Sequence, residues 1–191
     1  MELPIVVGLS GASGIIYGVE MLKVLKELNH PCHLIVSESG ARNLAIETDY
    51  TLDQVKALAD VVYEVSDVGA AVASGSFRTK GMIVAPCTIK TLSAIANSFN
   101  YNLLIRAADV QLKEKRPLVL MVRETPLHKG HLELMAKAAD LGAVILPPVP
   151  AFYHHPRTIE DLIHQSIGKA LDFFNIEHNL FKRWQGNGTG A

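Results

Sequence analysis

Cysteine is scarce in this chain, and so are aromatic residues, one-sided charge and long apolar runs. Among 191 residues there are 2 cysteines, and aromatics make up 6%. Cys32 and Cys87 are too few and too scattered for a disulfide framework or a Cys-x-x-Cys metal site, so both are expected as small buried thiols. Lys+Arg 18 against Asp+Glu 19 leaves a formal charge of -1, which gives no electrostatic footprint for nucleic acid or for an acidic membrane surface. No apolar run approaches the roughly 20 residues of a membrane helix. The opening Met1-Glu2-Leu3-Pro4 lacks the basic segment and apolar stretch of a signal peptide. These absences predict a cytoplasmic protein with no nucleic-acid or membrane partner. The 8 histidines do not restore a metal: His128 and His131 match no compact zinc spacing, and His154 and His155 point opposite ways in an extended chain, so no metal is expected.

What is present is a core-forming chain, 49% hydrophobic, long enough for one domain over residues 1–185 with a Gly-rich flexible tail at 186–191. Short β-branched runs alternate with longer segments of helical period. Strands are predicted at Ile5–Leu9, Cys32–Val36, a weaker Val61–Val65, Met82–Ala85, Leu118–Val122 and Ala143–Leu146. Helices are predicted near Ser13–Leu28, Ser39–Thr48, Leu52–Ala59, Ile89–Asn97, Leu103–Lys115, Leu132–Leu141 and Ile159–Phe174, the last opened by a Thr158/Asp161 capping box. Strands apolar on both parities suit a parallel sheet covered on two faces. The fold class is therefore α/β, a three-layer doubly wound parallel sheet of flavodoxin or Rossmann type.

In such sheets ligands bind outside the carboxyl ends of the strands, and there the chain is polar and small. Residues 8–14 read Gly-Leu-Ser-Gly-Ala-Ser-Gly, a turn whose backbone N–H groups and helix dipole suit a phosphate. Ser37 follows the second strand, where a dinucleotide fold carries an acid for the ribose, so one phosphate ester is favoured over NAD. Pro86-Cys87-Thr88-Ile89-Lys90-Thr91 follows the fourth strand and Arg123-Glu124-Thr125-Pro126 the fifth. Two phosphate-capable turns, Ser10–Gly14 and Thr88–Thr91, leave room for a mononucleotide and a second phosphorylated molecule. Glu47 and Asp49 close a helix at the end whose dipole opposes acids, so another force must retain at least one of them.

These segments, with Ala45–Asp49, Ala73–Ser76, Arg106–Val110, Leu112–Pro117 and Pro150–His154, resemble the UbiX-type flavin prenyltransferases over nearly the full chain; the branch associated with phenolic-acid decarboxylases is one option within it. The resemblance implies a metal-independent homo-oligomer, a dodecamer among the possible sizes. It joins dimethylallyl monophosphate to reduced FMN through N5 and C6 and so makes prenylated FMN for a UbiD-type decarboxylase. It carries FMN contacts onto Gly11, Ala12, Ser13, Ser37, Thr88, Ile89, Lys90, Thr91 and Arg123. Prenyl-phosphate contacts fall on Ser74, Gly75, Lys113, Glu124, Tyr153 and Lys169, with Trp184 as a wall for the allylic cation. Ser13, Glu47 and Glu124 are the implied proton handlers, Glu124 for the departing phosphate.

The chain departs from the commoner family pattern where Thr88 replaces a serine, where Lys90 adds a cation, and where Lys169 stands at a position that also takes arginine. A flavin-dependent decarboxylase and a flavin carrier without chemistry are the competing readings. Against the first, the Pro-x-Met-Asn segment and early catalytic His of cysteine decarboxylases are absent. Against the second, Lys113, Glu124, Tyr153 and Lys169 would be superfluous. Phe173, Phe174, Phe181 and Trp184 in the last segment exceed what one terminal helix buries alone, which predicts an oligomer.

Overall fold

The computed structural model describes residues 2–186. Its strands are β1 (Ile5–Leu9), β2 (Cys32–Val36), β3 (Val61–Tyr63), β4 (Gly81–Cys87), β5 (Leu118–Val122) and β6 (Val144–Ile145). They form one sheet in the order β3-β2-β1-β4-β5-β6, every pairing parallel. That order is of the Rossmann kind, with the reversal between β1 and β4. The helices are α1 (Ile16–Glu27), α2 (Glu38–Glu47), α3 (Leu52–Lys56), α4 (Ile89–Ala96), α5 (Leu103–Lys113), α6 (Lys129–Asp140) and α7 (Ile159–Asp172).

Alternation along β1 divides the core. Ile5, Val7 and Leu9 face α1 and α7, packing with Val19, Leu22, Ile167 and Leu171. Val6 faces the other way, into a layer with Leu92, Leu104, Ala107 and Leu120 from α4, α5 and β5. Each such side chain, removed from water, stabilises the fold by roughly 1.5–3 kcal/mol before entropy is charged against it. The Thr158/Asp161 capping box forms as expected and starts α7.

Several boundaries differ from expectation for local reasons. Helix α1 starts at Ile16 instead of Ser13, because Gly14 holds φ 92° and belongs to the turn. Helix α2 starts one residue earlier than expected and is capped by Ser37, whose hydroxyl accepts the Gly40 N–H at 3.0 Å. Strand β4 runs on through Pro86 to Cys87, with its register against β5 shifting between Val84 and Cys87. Pro86 has no N–H to lend the ladder, but its carbonyl accepts both the Ser10 hydroxyl at 2.8 Å and the Ser10 N–H at 3.3 Å. Helix α6 begins at Lys129, with Gly130 inside its first turn.

Phe174 is 2% exposed and Phe181 is half-buried, so the chain covers these two by itself, leaving Phe173 and Trp184 at the surface. The flexible tail expected at 186–191 lies, from residue 187 on, outside the described residues. Among the described residues no helix is long and apolar enough to cross a membrane.

Candidate functional site

The first turn is organised by an acid from another element. Glu47, the last residue of α2, accepts the Gly14 N–H at 2.7 Å and the Ile15 N–H at 3.1 Å through one carboxylate oxygen. Partial burial alone would push this carboxyl up. The Gly14 N–H, the Ser13 hydroxyl, the Ile15 N–H and the Arg123 charge together outweigh that and hold it below the usual value. An acid at the C-terminal end of α2 is thus retained because it caps α1. The same contact bears on the phosphate role expected of this turn, since the carboxylate takes the Gly14 and Ile15 amides for itself. Gly11 serves a close approach: a Cβ there would lie 2.4 Å from the Ser39 Cβ. The Asn43 amide donates to the Gly11 carbonyl at 2.9 Å, so α2 is tied to the turn at both of its ends. Ala12 is buried and Ser13 is exposed beside Glu47.

The fourth-strand turn is different. Thr88 caps α4, its hydroxyl accepting the Thr91 N–H at 3.0 Å and donating to the Thr91 hydroxyl at 2.9 Å. Ser10, buried, accepts the Thr88 N–H at 2.9 Å and so locks the first turn to the fourth. Beyond Thr88 opens a cavity of about 450 Å³ at the carboxyl ends of β2 and β4, lined by Ser37, Arg42, Thr88, Lys90, Thr91 and Asn102 among others. Among the described residues no acid accepts the N–H groups of this turn. The Lys90 ammonium lies 5.3 Å from the Tyr101 ring centroid, which keeps a cation at the cavity wall. Ile89 is half-buried behind it.

Arg123 follows β5, its N–H donating to the Cys87 carbonyl at 3.0 Å. Burial pushes the Tyr17 phenol up while the Arg123 charge opposes that shift, so Arg123 faces both Tyr17 and Glu47 at the first turn. Glu124 is exposed and accepts the neighbouring Thr125 N–H at 3.0 Å. It makes no ion pair with Arg123 among the described residues.

The remaining expected ligands fall into two further groups. Ser74 and Gly75 follow a short 3-10 helix (Ala71–Ala73) and lie against the end of α5: a Cβ on Gly75 would sit 2.6 Å from the Lys113 ammonium. Arg116 ties this loop down by donating to the Gly75 carbonyl at 2.7 Å and the Phe77 carbonyl at 2.8 Å, and Lys113 pairs with Glu114. These residues lie in the segments that lead into β4 and β5, on the amino side of the sheet and away from the strand-to-helix turns at its carboxyl side. Tyr153 and Trp184 meet edge to face at 6.2 Å, and Lys169 projects from α7 to within 3.4 Å of Asp172. Because α5 and α7 cover opposite faces of the sheet, one chain does not unite the two groups.

Burial pushes the Cys87 and Cys32 thiols up, in keeping with inert core cysteines. Around His154 the chain turns, with φ 57° at His155, so the extended geometry expected there does not hold. Glu20, Glu160 and His164 bring one ligand atom each within 4.8 Å of the others, a trio on α1 and α7 that spacing in the sequence does not reveal; the Lys23 ammonium already occupies Glu20 at 2.7 Å. Sequence reasoning also missed Arg42 and Asn43. Their position one to two turns into the helix after β2 was the available signal.

A sequence-family profile described as Flavoprotein matches residues 1–171. A flavin prenyltransferase UbiX from Thauera aromatica is 60% identical over 183 residues, 96% of this chain and 94% of the relative. One from Escherichia coli K12 is 55% identical over 95% of this chain and 98% of its own. A crystal structure of AnUbiX (PadA1) with FMN and dimethylallyl pyrophosphate superposes with a TM-score of 0.95 at 48% identity, covering 97% of this chain and 99% of the other. A dodecameric FMN-dependent UbiX-like decarboxylase from Escherichia coli O157:H7 does so at 0.93 and 44%, covering 96% and 100%. The FMN-dependent cysteine decarboxylase TvaF, at 16% identity and a TM-score of 0.67, shares the fold alone. With a capped first turn, an open fourth turn and matches that run nearly end to end, the chain belongs to the Flavoprotein family and, within it, to the UbiX flavin prenyltransferases.

Proposed function

We propose that this chain joins a dimethylallyl phosphate to reduced FMN and releases prenylated FMN. The observation that carries the reading is the cavity of about 450 Å³ with hydroxyls and the Arg42 and Lys90 cations on its walls, which opens at the sheet's switch point and is joined through Ser10 to the first turn, where Glu47 and Arg123 carry opposite charges. Ser37, Thr88 and Thr91 offer hydroxyls and Lys90 a cation to the FMN phosphate. Gly11, Ala12 and Ser13 border the ring system, with Arg123 a fork donor to a flavin oxygen. Reduced FMN supplies the nucleophilic N5 and C6. The allylic C–O bond breaks, bonds from the prenyl unit to N5 and C6 form, and the hydrogens displaced there balance the protonation of the alkene and of the phosphate that leaves. Lys113, Lys169 and the Glu124 proton meet the charge developing on that phosphate, and Tyr153 and Trp184 wall the allylic carbon from water.

Because the Ser74–Gly75–Lys113 group and the Tyr153–Lys169–Trp184 group lie on different faces of one chain, a second copy must supply one of them. The exposure of Ile46 at 78%, Phe152 at 67% and Phe99 at 65% supports such burial between copies. A homo-oligomer follows, with the dodecamer of the Escherichia coli O157:H7 relative as its expected size, and light scattering that gives a monomer at micromolar concentration contradicts it. The unpaired buried cysteines accord with a reducing compartment, the cytoplasm. Prenylated FMN then passes to a UbiD-type decarboxylase.

Anaerobic incubation of the protein with FMN, reductant and dimethylallyl monophosphate is expected to give a five-carbon adduct of FMN by mass spectrometry. Unmodified FMN alone overturns the reading. Carbon dioxide released from an acid by the protein alone selects the decarboxylase alternative.

A further inference from the structure

Asp172, on the last turn of α7, is the hub of a charge cluster that the sequence does not advertise. Its carboxylate takes the Arg183 guanidinium through both oxygens, at 2.6 and 3.1 Å, and the Lys169 ammonium at 3.4 Å. His178, whose side chain is 1% exposed, lies 3.2 Å from the same carboxylate and 3.0 Å from the Gly168 carbonyl through Nε2. Its Nδ1 accepts the Leu180 N–H at 3.3 Å, which leaves Nε2 as the donor of the ring. Lys169 and Arg183 thus set two cations against the one Asp172 carboxylate.

Gly168 is what lets this segment close on the helix. A Cβ there would stand 2.6 Å from both the His178 and Phe181 rings. The Arg183 guanidinium rests 5.4 Å from the Phe181 ring centroid, which fixes its plane. Of five N–H groups in the guanidinium, two are spent on Asp172. The approach of Nη2 to His178 at 3.3 Å sets donor against donor, so the rest have no protein acceptor among the described residues. They border a cavity of about 400 Å³ whose walls include Tyr153, His154, Arg183 and Trp184. Asp172 stays ionised: the Arg183 hydrogen bonds hold it below its usual range against the opposing pull of partial burial, helped by the Arg183 charge, His178 and Lys169.

We propose that Arg183 is a second cation for the prenyl phosphate, beside Lys169 and Tyr153, and that Asp172 is the positioning residue that aims both cations. The inference rests on the prenyltransferase reading for the identity of the ligand. It accounts for a lysine at position 169: the planar fork that an ammonium lacks is supplied from position 183. A phosphate dianion is the ligand chemistry that matches a guanidinium with free N–H groups, a neighbouring ammonium and a phenol.

The test uses the single tryptophan, Trp184, as reporter. Inorganic phosphate added to the full-length, FMN-loaded protein is expected to change Trp184 fluorescence saturably. Arg183→Met is expected to raise the midpoint about tenfold or more, the effect of losing charge-assisted hydrogen bonds, and Arg183→Lys to recover part of it. Asp172→Asn is expected to weaken phosphate by a smaller factor, with FMN affinity unchanged in all three variants. In prenyl transfer the loss should appear in KM for dimethylallyl monophosphate more than in kcat. A parent protein with no phosphate response, or an Arg183→Met variant with the parent midpoint and KM, overturns the inference. Absence of the prenyl adduct with a normal phosphate response would instead overturn the prenyltransferase reading and leave Arg183 as an anion site. Rescue by lysine separates a charge role from a folding defect.

Discussion

The first and fourth strand-to-helix turns lie side by side, are joined through Ser10, and do opposite things with the same backbone chemistry. Both present N–H groups at a helix start. At the first, Glu47 fills them from within the chain; at the fourth, Thr88 satisfies only the Thr91 N–H and leaves a cavity with Lys90 at its wall. A glycine-rich turn is therefore not in itself an anion site. What decides is whether an acid of the same chain already sits there. In the function proposed above, the fourth turn anchors and the first reacts, with Glu47, Ser13, Arg123 and, one residue on, Glu124 as the groups assigned to the flavin edge.

That division is tested hardest at Glu124. Glu124→Gln keeps size and hydrogen bonding but has no proton to give, so prenyl transfer is expected to fall by roughly 10²–10⁴-fold, the range of a lost general acid, while FMN stays bound and yellow. Turnover at the parent rate, with prenyl phosphate saturating and reduced flavin in excess, would leave the leaving group to the lysines alone. An equal loss of flavin binding would make Glu124 structural. The Thr125 N–H that it accepts is the only hydrogen bond among the described residues that such a role could use.

On the anchoring side, Thr88→Val removes the α4 cap and a phosphate donor together. Loss of the cap should cost about 1 kcal/mol of stability, and FMN affinity should drop roughly tenfold, the net worth of about one hydrogen bond to a charged group. Riboflavin, which lacks the phosphate, should bind the variant as it binds the parent. A matching drop for riboflavin in a binding titration would break the assignment of the phosphate to this turn.

Glu47 makes the first turn sensitive to acid. Its carboxyl is depressed in the folded protein, so its stabilisation is fully present above the unfolded value of about 4.3 and is lost as pH falls through the folded one. Glu47→Gln should lower the unfolding free energy at pH 7 by roughly 0.3–1 kcal/mol, the worth of an acid at a helix N-terminus near a screened surface. The gap between variant and parent should narrow as pH falls below that unfolded value. Denaturant melts showing a constant gap across that range would remove the charge from the account.

Most of the scaffold could be read from the residues. Strands apolar on both parities, such as Leu118–Val122, admit no other place than the middle of a covered sheet, and Thr158 with Asp161 announced α7. Ser37, Thr88 and Arg123 fall just past the carboxyl ends of β2, β4 and β5 as expected, the positions where doubly wound sheets bind. What stayed hidden was pairing at a distance. Glu47 to Gly14 spans 33 residues, and no local pattern distinguishes that acid from a solvated one. Asp172 to Arg183 spans 11 residues across a segment with no regular element. The end of β4 and the start of α6 run past their expected bounds through Pro86 and Gly130, residues of low propensity for those elements.

The finest discrimination between the two turns comes from Ser13→Ala. Ser13 is exposed, its hydroxyl stands with the Gly14 and Ile15 N–H groups around the Glu47 carboxylate, and the turn has room for a methyl group. Its loss should leave the melting curve within about 0.5 kcal/mol of the parent, as for most surface substitutions. Flavin retention or turnover should nevertheless fall severalfold, because one of the donors that holds Glu47 ionised beside the flavin is gone. Unlike Thr88→Val, the variant should weaken FMN and riboflavin by the same factor, since the first turn touches no phosphate. A change in the FMN-to-riboflavin preference in Ser13→Ala would return phosphate binding to the first turn. Parent affinity and parent rate together would take Ser13 out of the site.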